Sequence, residues 1–249
     1  MMEKISCIIA TYNCASTLRR AIDSILSQQG VEIECICVDG LSKDDTIKIL
    51  QSYGNRIRYI SEKDKGIFDA LNKGVQMARY EWIYILGADD EIYNETALRD
   101  LLSGNDITDK AIVYGNVVVR YPNGKVIQNH SKHYKNIRRF MFGCHQGIVM
   151  KRSCILNLNC FNLKYKLCAD FDLIQRAYLQ GYTFKQTQIN VAYYFSSGAS
   201  STLNYHENLD LYRVLKNNHS VTFPYITFLI FYFRSLLRSR VYSIINVFK

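Results

Sequence analysis

Proline is scarce in this chain, two residues in 249, and tyrosine is abundant at 19. Nearly half the residues, 48%, are hydrophobic and 21% are charged, which is the composition of a folded globular protein and excludes a disordered one. The eight cysteines contain no Cys-x-x-Cys pair and no zinc-ligand spacing. They are scattered through apolar segments. Cys35 and Cys37 lie two apart in the strand-like run Ile33 to Val38, so they share a face and behave as small hydrophobes, free thiols in a reducing compartment. No secretory signal precedes Lys4, because the first apolar run is short and ends in Thr11-Tyr12-Asn13. A cytoplasmic location is expected. No G-x-G-x-x-G follows the first strand and no P-loop occurs, so the usual dinucleotide and triphosphate cradles are excluded. One sign of charge dominates: 31 Lys and Arg against 22 Asp and Glu give a net +9. Such a balance favours polyanionic partners, whether nucleotides, nucleic acid or an anionic membrane surface, without choosing among them.

What is present is an alternation of strands and helices. Ile5 to Ala10 reads as a strand, followed by a helix with Leu18, Ala21, Ile22, Ile25 and Leu26 on one face and Ser16 or Asn13 as its cap. Ile33 to Val38 is a second strand, with a helix opening over Ser42 to Asp45; Ile57 to Ile60 is a third, with a helix carrying Ile67, Ala70, Leu71 and Ala78. Trp82 to Leu86 is the fourth. This order predicts right-handed crossovers and a mostly parallel sheet flanked by helices, an α/β fold. After it come a hairpin from Ile112 to Val119 through an Asn123-Gly124 turn to Val126-Ile127, a short strand Ile148 to Met150, and a helix with Leu173, Ile174, Ala177 and Tyr178. The second half is thus α+β in character, and no linker separates it from the first.

Each of strands two to four is followed by an acid: Asp39, Asp64 and Asp89. In an open α/β sheet ligands bind at the carboxyl ends of the strands, so these acids share the edge where a ligand belongs. Asp89 and Asp90 in Gly87-Ala88-Asp89-Asp90-Glu91 are hard oxygen ligands suited to a divalent cation that keeps positions free for phosphate, or else a solvated turn that caps a helix.

The ordered segments Ile8-Ile9-Ala10-Thr11-Tyr12-Asn13, Val38-Asp39-Gly40-x-Ser42-x-Asp44-Asp45-Thr46, Ser61-Glu62-x-Asp64-x-Gly66-Ile67-x-Asp69-Ala70-x-Asn72-x-Gly74, Ala88-Asp89-Asp90 and Ala169-Asp170-Phe171-Asp172-Leu173 resemble the family 2 glycosyltransferases with the GT-A fold, in particular the bacterial enzymes of surface polysaccharide, O-antigen or colanic-acid type. The resemblance runs from about residue 5 to about residue 182. It implies inverting transfer of a sugar from a nucleoside diphosphate, usually UDP, to an acceptor hydroxyl. It places Thr11, Tyr12, Asn13, Asp39, Asp64, Lys65, Asp89 and Asp90 around the nucleotide sugar, with Asp39 accepting a hydrogen bond from the base. Asp89 is implied as ligand of Mn²⁺ or Mg²⁺, Asp170 as general base, and His145 and Gln146 as contacts to the diphosphate or acceptor. The family's metal motif is usually Asp-x-Asp, and here Gly87 replaces its first acid; Ala169 likewise replaces the Glu of a Glu-Asp pair. Arg138, Arg139 and Lys132 could meet an anionic acceptor or form a solvated face.

The expected domains are a catalytic domain over 1–218, divided near 103/104 into nucleotide-binding and acceptor-side halves, and a basic, aromatic-rich C-terminal tail over 219–249. The apolar run of that tail is shorter than the ~20 residues a bilayer span needs, and its mix of aromatic, apolar and basic residues suits an amphipathic segment in the membrane interface, or else a helix packed on the domain. The implied partners are a nucleotide-sugar donor, a polyprenyl-diphosphate-linked glycan acceptor and, through the tail, an anionic membrane at the inner face of the cell; nucleic acid is not among them. Two other readings compete. A nucleotidyltransferase would want a basic, Gly-rich loop after its first strand, which Thr11-Tyr12-Asn13 does not supply, and a catalytically inactive sugar-nucleotide-binding partner of a synthase would have no need of Asp89 and Asp170.

Overall fold

The computed structural model of the chain describes residues 2–196, 205–219 and 229. The proposed interfacial segment beyond His219 therefore lies, Leu229 apart, outside the described residues. Among the described residues no helix is long and apolar enough to cross a membrane.

Four parallel strands form the first half: β1 (Lys4–Thr11), β2 (Glu32–Asp39), β3 (Arg58–Ser61) and β4 (Trp82–Ile85). Helices α1 (Leu18–Leu26), α2 (Thr46–Ser52) and α3 (Ile67–Met77) connect them. β1 lies between β2 and β4, so the chain builds outward on one side through β2 and β3 and then crosses to the other. That reversal opens a crevice at the carboxyl ends of β1 and β4. The period-two pattern of β1 divides its side chains between two cores. Ile5, Cys7 and Ile9 join α1, α2 and the buried Cys35 and Cys37, while Ile8 faces α3 and the later helices. Gly74 lets α3 lie against β1, since a Cβ there would stand 2.4 Å from Cγ2 of Ile8. All eight cysteines are free, and burial holds the Cys7 thiol well above its usual range, as expected of thiols that act as small hydrophobes.

The same sheet continues through the second half, adding β5 (Glu91–Ile92), β6 (Ile112–Arg120), β7 (Val126–Asn129), β8 (Ile148–Lys151) and β9 (Phe184–Phe195), in the order β3-β2-β1-β4-β8-β6-β9-β5 with β7 paired to β6. β8 runs antiparallel to both β4 and β6, so the sheet is parallel in its first half and mixed in its second. Helices α4 (Ala97–Leu101), α5 (Arg152–Asn157), α6 (Ala169–Leu179) and α7 (Tyr205–Asn217) complete the described chain. The hairpin through Asn123-Gly124 forms as expected, with Gly124 at φ +81°. One expectation is corrected and one element was not foreseen. The helix after β1 is not capped by Ser16 or Asn13: Thr17 holds the N-cap position without a side-chain bond, and Asn13 is turned toward the loop after β2. β9, twelve residues long, had no counterpart in the sequence reading; its interrupted alternation and a register shift against β6 hide the period of two.

Candidate active site

The crevice at the carboxyl ends of β1 and β4 opens into a cavity of about 990 Å³. Thr11, Tyr12, Asn13, Asp64, Asp89, Asp90, His145, Gln146 and Asp170 all line it, so residues up to 159 positions apart in the chain meet there. Lys65 and Asp39 are not among the lining residues. Lys65 is exposed, its backbone N–H donating to Asp69.

Asp39 shows what a strand-end acid does when its donors are all internal. It is 0% exposed. Oδ1 accepts from Thr11 Oγ1 at 3.1 Å and Ser42 Oγ at 2.5 Å, and Oδ2 accepts from Ser42 N at 2.9 Å and Ser61 Oγ at 2.7 Å. Four hydrogen bonds fill the carboxylate, which does not line the cavity. It ties the ends of β1 and β3 to the loop after β2. Ser42 in turn receives the Asn13 N–H at 2.8 Å, and Asn13 Oδ1 receives the Lys43 N–H at 2.8 Å, with Asn13 itself at φ +48°. Asp64 does reach the cavity, and packs over Gly40 while accepting the Gly66 N–H at 2.9 Å.

The paired acids after β4 divide in the same way. Asp90 is 1% exposed, with Oδ2 accepting from Gln146 Nε2 at 2.7 Å and Oδ1 from the Phe195 N–H at 2.9 Å. Burial pushes its carboxyl up to about 6 against those bonds, and the neighbouring Asp89 charge adds to the rise. Asp90 and Gln146, both expected at the ligand, are therefore joined to each other and tie the β4 loop to the end of β9. Tyr84 completes this lock by donating from its hydroxyl to the Gln146 carbonyl at 2.9 Å. Gly87 is required by it: a Cβ there would fall 2.4 Å from Asp90 Oδ2 and 3.0 Å from Asp89 Oδ1. An acid at residue 87, as in the usual metal motif, would meet the Asp90 carboxylate in its present position.

Asp89 is different. Its backbone carbonyl accepts from Arg20 at 2.5 Å, and the Arg20 guanidinium stacks on the Phe195 ring at 3.9 Å, but its carboxylate makes no hydrogen bond or ion pair among the described residues. Sequence reading did not find Arg20 or Phe195, which come to this loop only through the pairing of β9. No cluster of three or more metal-ligating side chains occurs among the described residues. A lone unshared carboxylate at a cavity wall nevertheless fits Mg²⁺ or Mn²⁺, which takes its remaining ligands from water and substrate phosphate.

On the opposite side α6 begins at Ala169 with Cys168 as its N-cap, so Asp170 is not the cap. Its Oδ1 accepts the Phe171 N–H at 2.8 Å, and Oδ2 stands 3.7 Å from Nδ1 of His145, both side chains part-exposed to the cavity. The helix-start acid Asp172 is buried and structural, paired with Arg176 at 2.8 Å. Lys132 and Arg138 lie over the rings of Phe140 and Tyr178, 5.3 and 5.7 Å from their centroids, and do not line the cavity.

Residues 6–161 match the model of Glycosyl transferase family 2. The chain belongs to that family. A PGL/p-HBAD biosynthesis glycosyltransferase of Mycobacterium bovis is 32% identical over 182 residues, 70% of this chain and 69% of the relative. Among solved structures, Staphylococcus aureus TarS residues 1–349 in complex with UDP-GlcNAc superposes with a TM-score of 0.68 at 19% identity, over 86% of this glycosyltransferase and 65% of TarS 1–349. The mannosyltransferase PcManGT of Pyrobaculum calidifontis, in complex with GDP-Man and Mn²⁺, gives 0.65 at 15% identity over 88% and 69%. These likenesses establish the GT-A fold of this family 2 glycosyltransferase, which spans less than two thirds of the TarS 1–349 chain.

Proposed function

We propose that the protein is an inverting glycosyltransferase that moves a sugar from a UDP-sugar to a hydroxyl of a lipid-linked glycan acceptor in bacterial surface polysaccharide synthesis. One observation carries the reading: two carboxylates, Asp89 and Asp170, open into the same cavity from different elements, while Asp39 is filled by four internal donors and Asp90 accepts one internal bond on each oxygen. Thr11, Asn13 and Asp64 line the nucleotide side. Asp89 would hold Mn²⁺ or Mg²⁺, which when bound neutralises charge on the departing diphosphate, an effect worth several kcal/mol.

Asp170 takes the proton of the acceptor hydroxyl as that oxygen attacks the anomeric carbon opposite the diphosphate. The new C–O bond forms as the bond to the leaving phosphate oxygen breaks, which inverts the configuration. His145, 3.7 Å from Asp170, orients that carboxylate or the acceptor hydroxyl. Incubation with a panel of nucleotide sugars and Mn²⁺ or Mg²⁺, with membrane-extracted acceptors, tests the proposal through nucleoside diphosphate release. One donor should give release that chelation abolishes and that metal restores. Absence of release with every donor would overturn the reading.

A further inference from the structure

One face of α1 packs into the core through Leu18, Ala21, Ile22 and Ile25. A second face carries Arg20 and Ser24, four residues apart and therefore one above the other, with Gln28 just past the helix end. All three grip the chain after β4. Arg20 donates to the Asp89 carbonyl at 2.5 Å, and Ser24 Oγ accepts the Ile92 N–H at 3.1 Å. Gln28 donates to the Asn94 carbonyl at 2.7 Å and accepts the Leu98 N–H at 3.2 Å. The last two residues make neutral bonds to neutral backbone groups. Arg20 does not.

It places a full positive charge on the backbone carbonyl of the one residue whose carboxylate is unshared. No carboxylate pairs with Arg20 among the described residues, and its Nε is the one buried side-chain nitrogen or oxygen there without a hydrogen-bond partner. A buried donor left unpaired is destabilising, so its retention calls for a reason. The guanidinium is fixed by what it touches: it lies over the Phe195 ring, 3.9 Å from the centroid, and the Phe195 N–H in turn holds Asp90 Oδ1 at 2.9 Å. Arg120 lies 5.5 Å from the same ring and pairs with Glu91 at 3.5 Å. Residues 89, 90 and 91 are thus each held by a separate bond to Arg20, Phe195 and Arg120. The Asp89 carboxylate is the group left over. Were Arg20 bonded to that carboxylate and not to the carbonyl, its charge would be neutralised within the protein and lost to a ligand.

We propose that Arg20 is a positioning residue for the divalent metal: through the Asp89 carbonyl it sets where the Asp89 carboxylate stands, and the Phe195 ring sets Arg20. The inference rests on the reading of Asp89 as metal ligand above and adds the residues that orient it. Partners that orient a metal ligand are typically worth about 10–100-fold in metal affinity. The sign of the effect separates position from charge. A guanidinium near a dication repels it, so removing the charge alone strengthens metal binding, whereas loss of position weakens it.

Mn²⁺ binding to the full chain with saturating UDP, followed by the electron paramagnetic resonance signal of free Mn²⁺, tests this without turnover. Arg20→Met keeps the apolar stem and removes the donor and the charge. Phe195→Leu keeps the backbone bond to Asp90 and removes the ring under the guanidinium. Each should weaken Mn²⁺ binding about tenfold or more. Gln28→Ala loosens the same segment farther on, at Asn94 and Leu98, so it should lower the unfolding midpoint yet leave Mn²⁺ affinity within about twofold. Arg20→Met or Phe195→Leu binding Mn²⁺ as tightly as the unaltered protein, or more tightly, overturns the positioning role. So does Gln28→Ala weakening Mn²⁺ as much as Arg20→Met, because the effect would then be general loosening of the segment. Asp89→Asn is the reference: Mn²⁺ affinity unchanged by it would remove the metal assignment of Asp89 itself, so the two failures are separable.

Discussion

Five aspartates stand at or near the cavity, Asp39, Asp64, Asp89, Asp90 and Asp170, and the hydrogen bonds around them differ. Asp39 accepts four internal bonds, Asp90 one on each oxygen and Asp64 the Gly66 N–H, whereas the carboxylate of Asp89 makes no hydrogen bond or ion pair among the described residues and Asp170 keeps one oxygen toward His145. Gly87 is the residue on which this division turns, because Asp90 can fold back only where no Cβ stands. Gly87→Ala should displace the Asp90 carboxylate, loosen its bonds to Gln146 and Phe195, and lower stability by about 1–3 kcal/mol, the usual range for overpacking. Denaturant unfolding of the two proteins measures this; equal midpoints would show that the loop accepts a methyl group. The acids themselves were legible in the sequence, as was their common edge. Which of them are free was not, because the donors to Asp90 lie 56 and 105 residues away and those to Asp39 come from the ends of β1 and β3 and the loop after β2.

Elements are held around the site by a few buried polar clamps. Glu34 of β2 is the clearest, accepting from Ser6 of β1 at 2.8 Å and the Arg79 N–H at 2.9 Å, and pairing with Arg58 of β3 at 2.5 Å. Burial pushes its carboxyl up, but the bonds from Arg79, Ser6 and Arg58 outweigh this and leave it below its ordinary value of 4.5. A depressed folded-state value contributes stability above the unfolded value, and that contribution is lost as pH falls through the folded one. Glu34→Gln should therefore lower stability by about 1–3 kcal/mol at neutral pH. The difference should shrink below the ordinary carboxylate value; a difference independent of pH would assign the loss to packing. At this scale the parallel half was readable from its strand and helix periods. β9 was not, since its alternation is broken, and with it Phe195 and the partner of Arg20 went unseen.

The whole molecule joins two kinds of sheet into one, and the join makes the cavity. Parallel β1 and β4 contribute Thr11, Asn13 and Asp89, while antiparallel β8 brings the preceding turn with His145 against β4 and sets α6 opposite. Family membership was legible from short motifs in order, because each motif marks a strand end or a helix start that the fold converts into one edge. In the proposed mechanism proton transfer falls on Asp170 alone. Asp170→Asn preserves shape and removes the base, and general-base catalysis is worth about 10²–10⁴-fold. In the nucleoside diphosphate release assay with donor, metal and acceptor, kcat should fall by that factor while the donor KM stays within about twofold. Acceptor-dependent turnover that survives Asp170→Asn undiminished would contradict the assignment of the base, and with it the mechanism proposed for this cavity.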